Sequence, residues 1–302
     1  MGKTQFLLTL LLSVQLSSDK SALYISTEAP LQTTRLTQIL AAHSKLSTLP
    51  SSEQSSLSRI QSTHIHDVEA QEHILRYQVP VAIAKQNIGL LIIDSIAANY
   101  RAEFDKGKAR KGAASFAKRN EQLAQLGSLL RDIARNHNVA VVVANQVADR
   151  FTTAENSTLH ATQSTQRSRR DSPPQSRGRD SVQFSSNIPP DTTSAPQLLS
   201  TDDPLALDHQ MRFFTGWGDD PAAENFKTPS LGLTWTNQLA TRIALLKEPI
   251  YEDRAYLPGE DKSISGWKRT AKTVFSAWCA EGSVGFDIWE GGIRSVDRLP
   301  AR

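Results

Sequence analysis

Gly89-Leu90-Leu91-Ile92-Ile93-Asp94-Ser95 is an unbroken apolar run that stops at a carboxylate followed by a hydroxyl. Four strand-forming apolar residues in a row leave no polar face for solvent, which suits the centre of a parallel sheet covered by helices on both sides. Ligands of such sheets bind at the carboxyl ends of the strands, so Asp94 and Ser95 stand where chemistry is expected. An aspartate closing a buried strand is the Walker B pattern, in which the carboxylate holds magnesium through water beside nucleotide phosphates. It is also a common helix cap, and the strand alone does not separate the two.

Other apolar runs extend this pattern. Ala22-Leu23-Tyr24-Ile25-Ser26 reads as a strand delivering Thr27-Glu28 to the same edge, and Glu28 there could act as a general base toward water or be a solvated loop residue. Val139–Ala144 reads as another fully buried parallel strand, ending on Asn145-Gln146. Ile60–His66 reads as a strand with His64 and His66 on one face, and Asp67 caps a helix through Tyr77. No thiol or carboxylate at diagnostic spacing joins the two histidines, so they read as polar edge residues rather than metal ligands. Helices are predicted through Arg35–Leu40 and over Phe116–Asn136, where Leu123, Leu126, Leu130 and Ile133 recur at helical spacing.

The first residues admit two readings. Lys3, the run Phe6-Leu7-Leu8-Thr9-Leu10-Leu11-Leu12 and Ser17-Ser18 have the make-up of a secretory leader. Against this, Gly2-Lys3-Thr4 is the end of the phosphate-binding motif G-x-x-x-x-G-K-[ST], and the apolar helix is what such a loop leads into. Lys3 would then bind phosphate and Thr4 coordinate magnesium, with N–H groups of the helix start completing an anion site. The first glycine of the motif and its preceding strand have no counterpart in the sequence, so this reading expects them upstream.

The 302 residues carry a net charge of +3, too small to establish a nucleic-acid partner, yet the basic residues cluster. Lys106, Lys108, Arg110 and Lys111 form a cationic loop after Tyr100-Arg101 that could follow a phosphate backbone or be simply solvated. From 152 to 203 the composition turns to Ser, Thr, Pro, Gln and Arg, which predicts a disordered insertion between 1–151 and 204–302. Cys279 is the lone cysteine, which excludes an internal disulfide and the usual zinc clusters and points to a reducing compartment. No run is long enough to span a membrane, and no membrane partner is expected. Thr241–Lys247 reads as a strand, and Thr273–Trp278 with Val284–Trp289 as a hairpin, placing antiparallel strands at the C-terminal edge.

Taken in order, Gly2-Lys3-Thr4-Gln5, Thr27-Glu28, Leu91-Ile92-Ile93-Asp94-Ser95, Tyr100-Arg101-Ala102-Glu103-Phe104, Asn145-Gln146-Val147 and Gly232…Asn237…Thr241-Arg242 resemble the ATPase core of the RecA/RadA recombinase superfamily. Ile93–Ala98, Arg101–Phe104 and Thr234–Gln238 look like the eukaryotic recombinase paralogues, and Phe214–Gly218 with Ile288–Gly292 look like the recombination mediators of fungi. The resemblance implies an α/β P-loop ATPase core with a mostly parallel sheet, here without its first strand and without the family's small N-terminal helical domain. It implies ATP and magnesium as cofactors, with Gly2, Lys3, Thr4 and Gln5 at the nucleotide, Thr4 and Asp94 at magnesium, Glu28 orienting water and Gln146 reporting the γ-phosphate. Arg101 falls in the first DNA-facing loop, and the second would begin after Val147. The implied role is nuclear: assisting the main recombinase to assemble on single-stranded DNA in homologous recombination and double-strand break repair, paired with a second recombinase paralogue. Hydrolysis is expected to be weak and slow, and a noncatalytic assembly subunit on the same fold is the alternative.

Overall fold

A computed structural model describes residues 2–47, 56–100, 113–149, 227–229, 231–254 and 263–296. The order of its first elements is α1 (Lys3–Ser17), β1 (Ser21–Ser26), α2 (Thr33–Ala42), α3 (Ser44–Ser47), β2 (Ile60–His64), α4 (Val68–His73), α5 (Val79–Gln86) and β3 (Ile88–Asp94). There follow α6 (Ala113–His137), β4 (Ala140–Val143), β5 (Val147–Asp149), β6 (Lys227–Pro229), α7 (Gly232–Thr236), β7 (Thr241–Tyr251), β8 (Ile264–Ser276), β9 (Gly282–Trp289) and β10 (Gly292–Ser295).

Strands β2-β1-β3-β4 form a parallel sheet in that order. Strand alternation sorts their side chains into two cores. Leu91 and Ile93 of β3 join Leu23 and Ile25 of β1 in a core shared with α5 and α6. Leu90 and Ile92 join Ala22 and Tyr24 on the other face, against Leu8, Leu11 and Leu12 of α1 and Leu36 and Ile39 of α2. The apolar run of β3 is therefore continuous because both of its faces are covered. Each fully buried leucine contributes about 2 kcal/mol, and α1 is part of this core.

Local chemistry sets the helix boundaries. The Asp67 carboxylate accepts from the Ala70 N–H at 2.6 Å, the expected N-cap of α4. Residues Ile74–Gln78 widen into a π-helical segment just before Pro80, which has no N–H for the regular ladder. Asn87 and Asn138, both in the left-handed region, end α5 and α6.

The chain passes from β1 to β2 on one side, then to β3 on the other side of β1. That reversal opens a crevice at the carboxyl ends of β1 and β3, the usual ligand position in such sheets. Two expectations are modified. The antiparallel strands expected on the C-terminal side do form, as a sheet of their own in the order β10-β9-β8-β7. The strand expected to be fully buried over Val139–Ala144 runs over Ala140–Val143, with Ala140 exposed and the three valines half-buried. The reason is position: β4 is the edge of the parallel sheet, and no described strand pairs with its outer side.

The two sheets meet near the N-terminus of α1. Arg35 of α2 donates from Nη1 to the Glu290 carbonyl at 2.9 Å and from Nη2 to the Trp289 carbonyl, gripping the β9–β10 turn. Gly292, the first residue of β10 after that turn, has φ 100°, and a Cβ there would lie 2.6 Å from Thr9 Oγ1 of α1, so only glycine suits both the backbone and the approach. Among the described residues, no helix is long and apolar enough to cross a membrane.

Candidate functional site

The site forms where α1 starts above the ends of β1, β3 and β4. Gly2 precedes α1 with φ 110°, a left-handed conformation that a side chain would strain, and its carbonyl accepts the Phe6 N–H at 2.9 Å to close the first turn. Lys3 and Thr4 therefore stand on the first turn of α1, where unpaired N–H groups and the helix dipole favour an anion.

Lys3 Nζ donates to the carbonyl of Asn145 at 3.1 Å, and Thr4 Oγ1 donates to Asp94 Oδ2 at 3.0 Å. Two groups separated by 90 residues of sequence, Thr4 and Asp94, are thus joined across the sheet end. Tyr24 Oη donates to the same Asp94 oxygen at 2.9 Å. Burial, followed by the Asp94 charge, pushes the Tyr24 phenol far above its ordinary range, so it remains a donor.

Glu28 lies at the end of β1, where its Oε1 accepts from Ser95 Oγ at 3.0 Å and from Gln146 Nε2. The strand ends beneath them are locked together. Thr27 Oγ1 donates to the Ser95 carbonyl at 2.7 Å and accepts from the Ser95 N–H at 3.0 Å, while the Thr27 N–H bonds the Asp94 carbonyl at 3.0 Å. Thr27 is buried, so this double contact fixes the spacing of Glu28 from Asp94.

Five of the residues expected from the sequence, Lys3, Thr4, Glu28, Asp94 and Gln146, are brought to one crevice. Gln5, expected at the nucleotide, accepts from Arg35 Nε at 2.8 Å through its side-chain Oε1. His64 and His66 stay on the β2 side: their rings meet edge to face at 4.3 Å, and His64 Nδ1 lies 2.9 Å from Ser26 Oγ. Arg101, Lys106, Lys108, Arg110 and Lys111, the expected DNA-facing residues, and the 152–203 insertion lie outside the described residues.

Sequence reasoning missed Tyr24, Thr27 and Arg35. For Tyr24 a signal existed: Ser26 is registered against Asp94, and Tyr24, two residues earlier, shares the sheet face of Asp94. Among the described residues, no group of three or more His, Cys, Asp or Glu side chains could hold a metal. The donors at the crevice are instead a hydroxyl and a carboxylate, the hard oxygen set that suits a magnesium ion keeping most of its waters.

The Rad51 family model matches residues 1–165, more than half of the chain. This chain belongs to the Rad51 family. Among its relatives, the DNA repair protein rhp57 of Schizosaccharomyces pombe is 35% identical over 262 residues, covering 82% of this chain and 60% of that protein. The DNA repair protein RAD57 of Saccharomyces cerevisiae is 29% identical over 347 aligned positions, covering 98% of this chain and 72% of that protein. The DNA repair protein XRCC3 of Bos taurus is 33% identical over 157 residues, 49% of this chain. The matched Rad51 region contains every element of the crevice, from α1 through β1 and β3 to Gln146. The chain is thus a recombinase paralogue, and the relatives it matches are named as DNA repair proteins.

Proposed function

We propose that this Rad51-family chain is an ATP-binding recombination mediator that assists a recombinase to assemble on single-stranded DNA in homologous recombination and double-strand break repair. On this reading it acts in the nucleus, paired with a second recombinase paralogue. One observation carries the nucleotide part: the first turn of α1 meets the ends of β3 and β4 through Thr4–Asp94 and Lys3–Asn145. A lysine, a hydroxyl and a carboxylate in that arrangement are the parts a triphosphate with magnesium requires.

Each residue then has a task. Lys3, held at the end of β4, supplies a cation beside the phosphates, and the N–H groups of the α1 start add directed donors. Thr4 and Asp94 would hold magnesium, Asp94 through water, and the ion when bound neutralises phosphate charge. Glu28 orients a water with Oε2, because Oε1 already accepts from Ser95 and Gln146. Gln146 shares that oxygen, so a group that draws its amide away changes the surroundings of the base. The basic residues Arg101, Lys106, Lys108, Arg110 and Lys111 would follow the DNA backbone.

The double occupation of Glu28 Oε1 favours slow turnover, and it also supports a second reading in which the chain is an assembly subunit without hydrolysis. Reconstituted filament assembly on single-stranded DNA separates them. With full-length protein, Lys3→Ala is expected to abolish ATP-dependent stimulation of assembly, and unchanged stimulation would reject the nucleotide-dependent role. Glu28→Gln removes base strength while keeping an acceptor; loss of stimulation with it supports hydrolysis, and full retention supports the assembly subunit.

A further inference from the structure

Asp94 Oδ2 accepts two hydrogen bonds, and only one of the donors belongs to the phosphate-binding motif. Thr4 approaches from α1; the other donor, Tyr24, comes from the middle of β1. Tyr24 is 3% exposed and sits among Ala22, Leu90, Ile92 and the leucines of α1. A phenylalanine would fill the same space, so packing does not explain the hydroxyl. A hydroxyl placed in such surroundings costs free energy unless it is bonded, and Asp94 is its partner.

We propose that Tyr24 is a positioning residue for the magnesium site, its hydroxyl holding the Asp94 carboxylate in the orientation that a metal-bound water meets. This rests on the nucleotide reading of Lys3, Thr4 and Asp94. Both donors, Thr4 and Tyr24, fall on Oδ2, and among the described residues none donates to Oδ1, which would leave that oxygen for the ion's water. Thr4 would not hold the carboxylate alone, because on the nucleotide reading its hydroxyl would itself serve as a magnesium ligand. Tyr24 has no such second task. The division of labour is the one seen around metal ligands generally, where an outer partner fixes the orientation of an inner one.

The test uses full-length protein and the equilibrium binding of a fluorescent ATP analogue, titrated with magnesium chloride, for wild type, Tyr24→Phe and Asp94→Asn. Tyr24→Phe is expected to raise the magnesium midpoint about tenfold, the lower end of the effect of losing an outer partner of a metal ligand. Binding at saturating magnesium should be retained. Thermal melting without nucleotide and magnesium supplies the structural readout: a purely structural tyrosine would lower the melting temperature and leave the midpoint in place. A Tyr24→Phe midpoint within twofold of wild type, with Asp94→Asn shifted, overturns the role of Tyr24 alone. If wild type and Asp94→Asn show the same midpoint or no magnesium dependence, the metal reading falls and the role of Tyr24 with it.

Discussion

Arg35→Ala should loosen the contact between the two sheets. Arg35 donates Nε to Gln5 Oε1 at 2.8 Å, Nη1 to the Glu290 carbonyl at 2.9 Å and to Gln38 Oε1 at 3.1 Å, and Nη2 to the Trp289 carbonyl. The bonds to Gln38 and Glu290 are exposed and contribute little. The bonds to Gln5 and Trp289 are half-buried and come from a charged donor, a class that contributes about 1.5–3 kcal/mol each when fully buried. Discounting both for solvent leaves a loss of about 2–3 kcal/mol. At roughly 2–4 °C per kcal/mol for a domain of this size, the melting temperature should fall by about 4–12 °C. Arg35→Lys should recover only part of this, since an ammonium cannot present a planar fork to Gln5 and the turn at once. Differential scanning calorimetry on full-length protein reads the effect. A change below about 1 °C for Arg35→Ala would refute the reasoning that this guanidinium ties α2 to the β9–β10 turn.

Leu11→Ala, at a fully buried position in α1, should destabilise by about 3 kcal/mol in denaturant unfolding; a loss below about 1 kcal/mol would mean that α1 does not pack on the sheet as described. Alkaline stability follows from two tyrosines. Tyr24 is raised above its ordinary value of 10.0, and Tyr100 is pushed up to about 12, first by burial and then by the charge of Glu72. Both stay protonated when folded while the unfolded phenols lose protons above pH 10, so the unfolded state binds fewer protons there and stability falls as pH rises. Denaturant midpoints measured from pH 9 to pH 11 should drop more steeply in wild type than in Tyr24→Phe, and parallel slopes would contradict the buried phenol.

What the sequence made legible was the chemistry at strand ends. An apolar run closing on Asp94 needs two covered faces, and the register of β1 with β3 then brings Glu28 alongside it. The place of Lys3 and Thr4 at a helix start was readable because the residue order Gly-Lys-Thr ahead of an apolar run is one that leads into a helix. Tyr24 and Arg35 were not picked out, because their partners lie 70 and about 254 residues away and neither belongs to a motif. The half-buried state of Val141–Val143 was also hidden, since a valine run has the same composition at a sheet edge as at its centre. Gln5 shows the opposite case: its motif position was clear, and the contact with Arg35 depends on where α2 packs.

The most direct test of the central claim is the equilibrium affinity of full-length protein for ATP, with and without magnesium, in wild type, Lys3→Ala and Asp94→Asn. If α1, β3 and β4 build a nucleotide site, wild type binds ATP more tightly with magnesium, Lys3→Ala weakens binding under both conditions, and Asp94→Asn removes only the magnesium effect. Equal affinities in all three proteins would contradict the account.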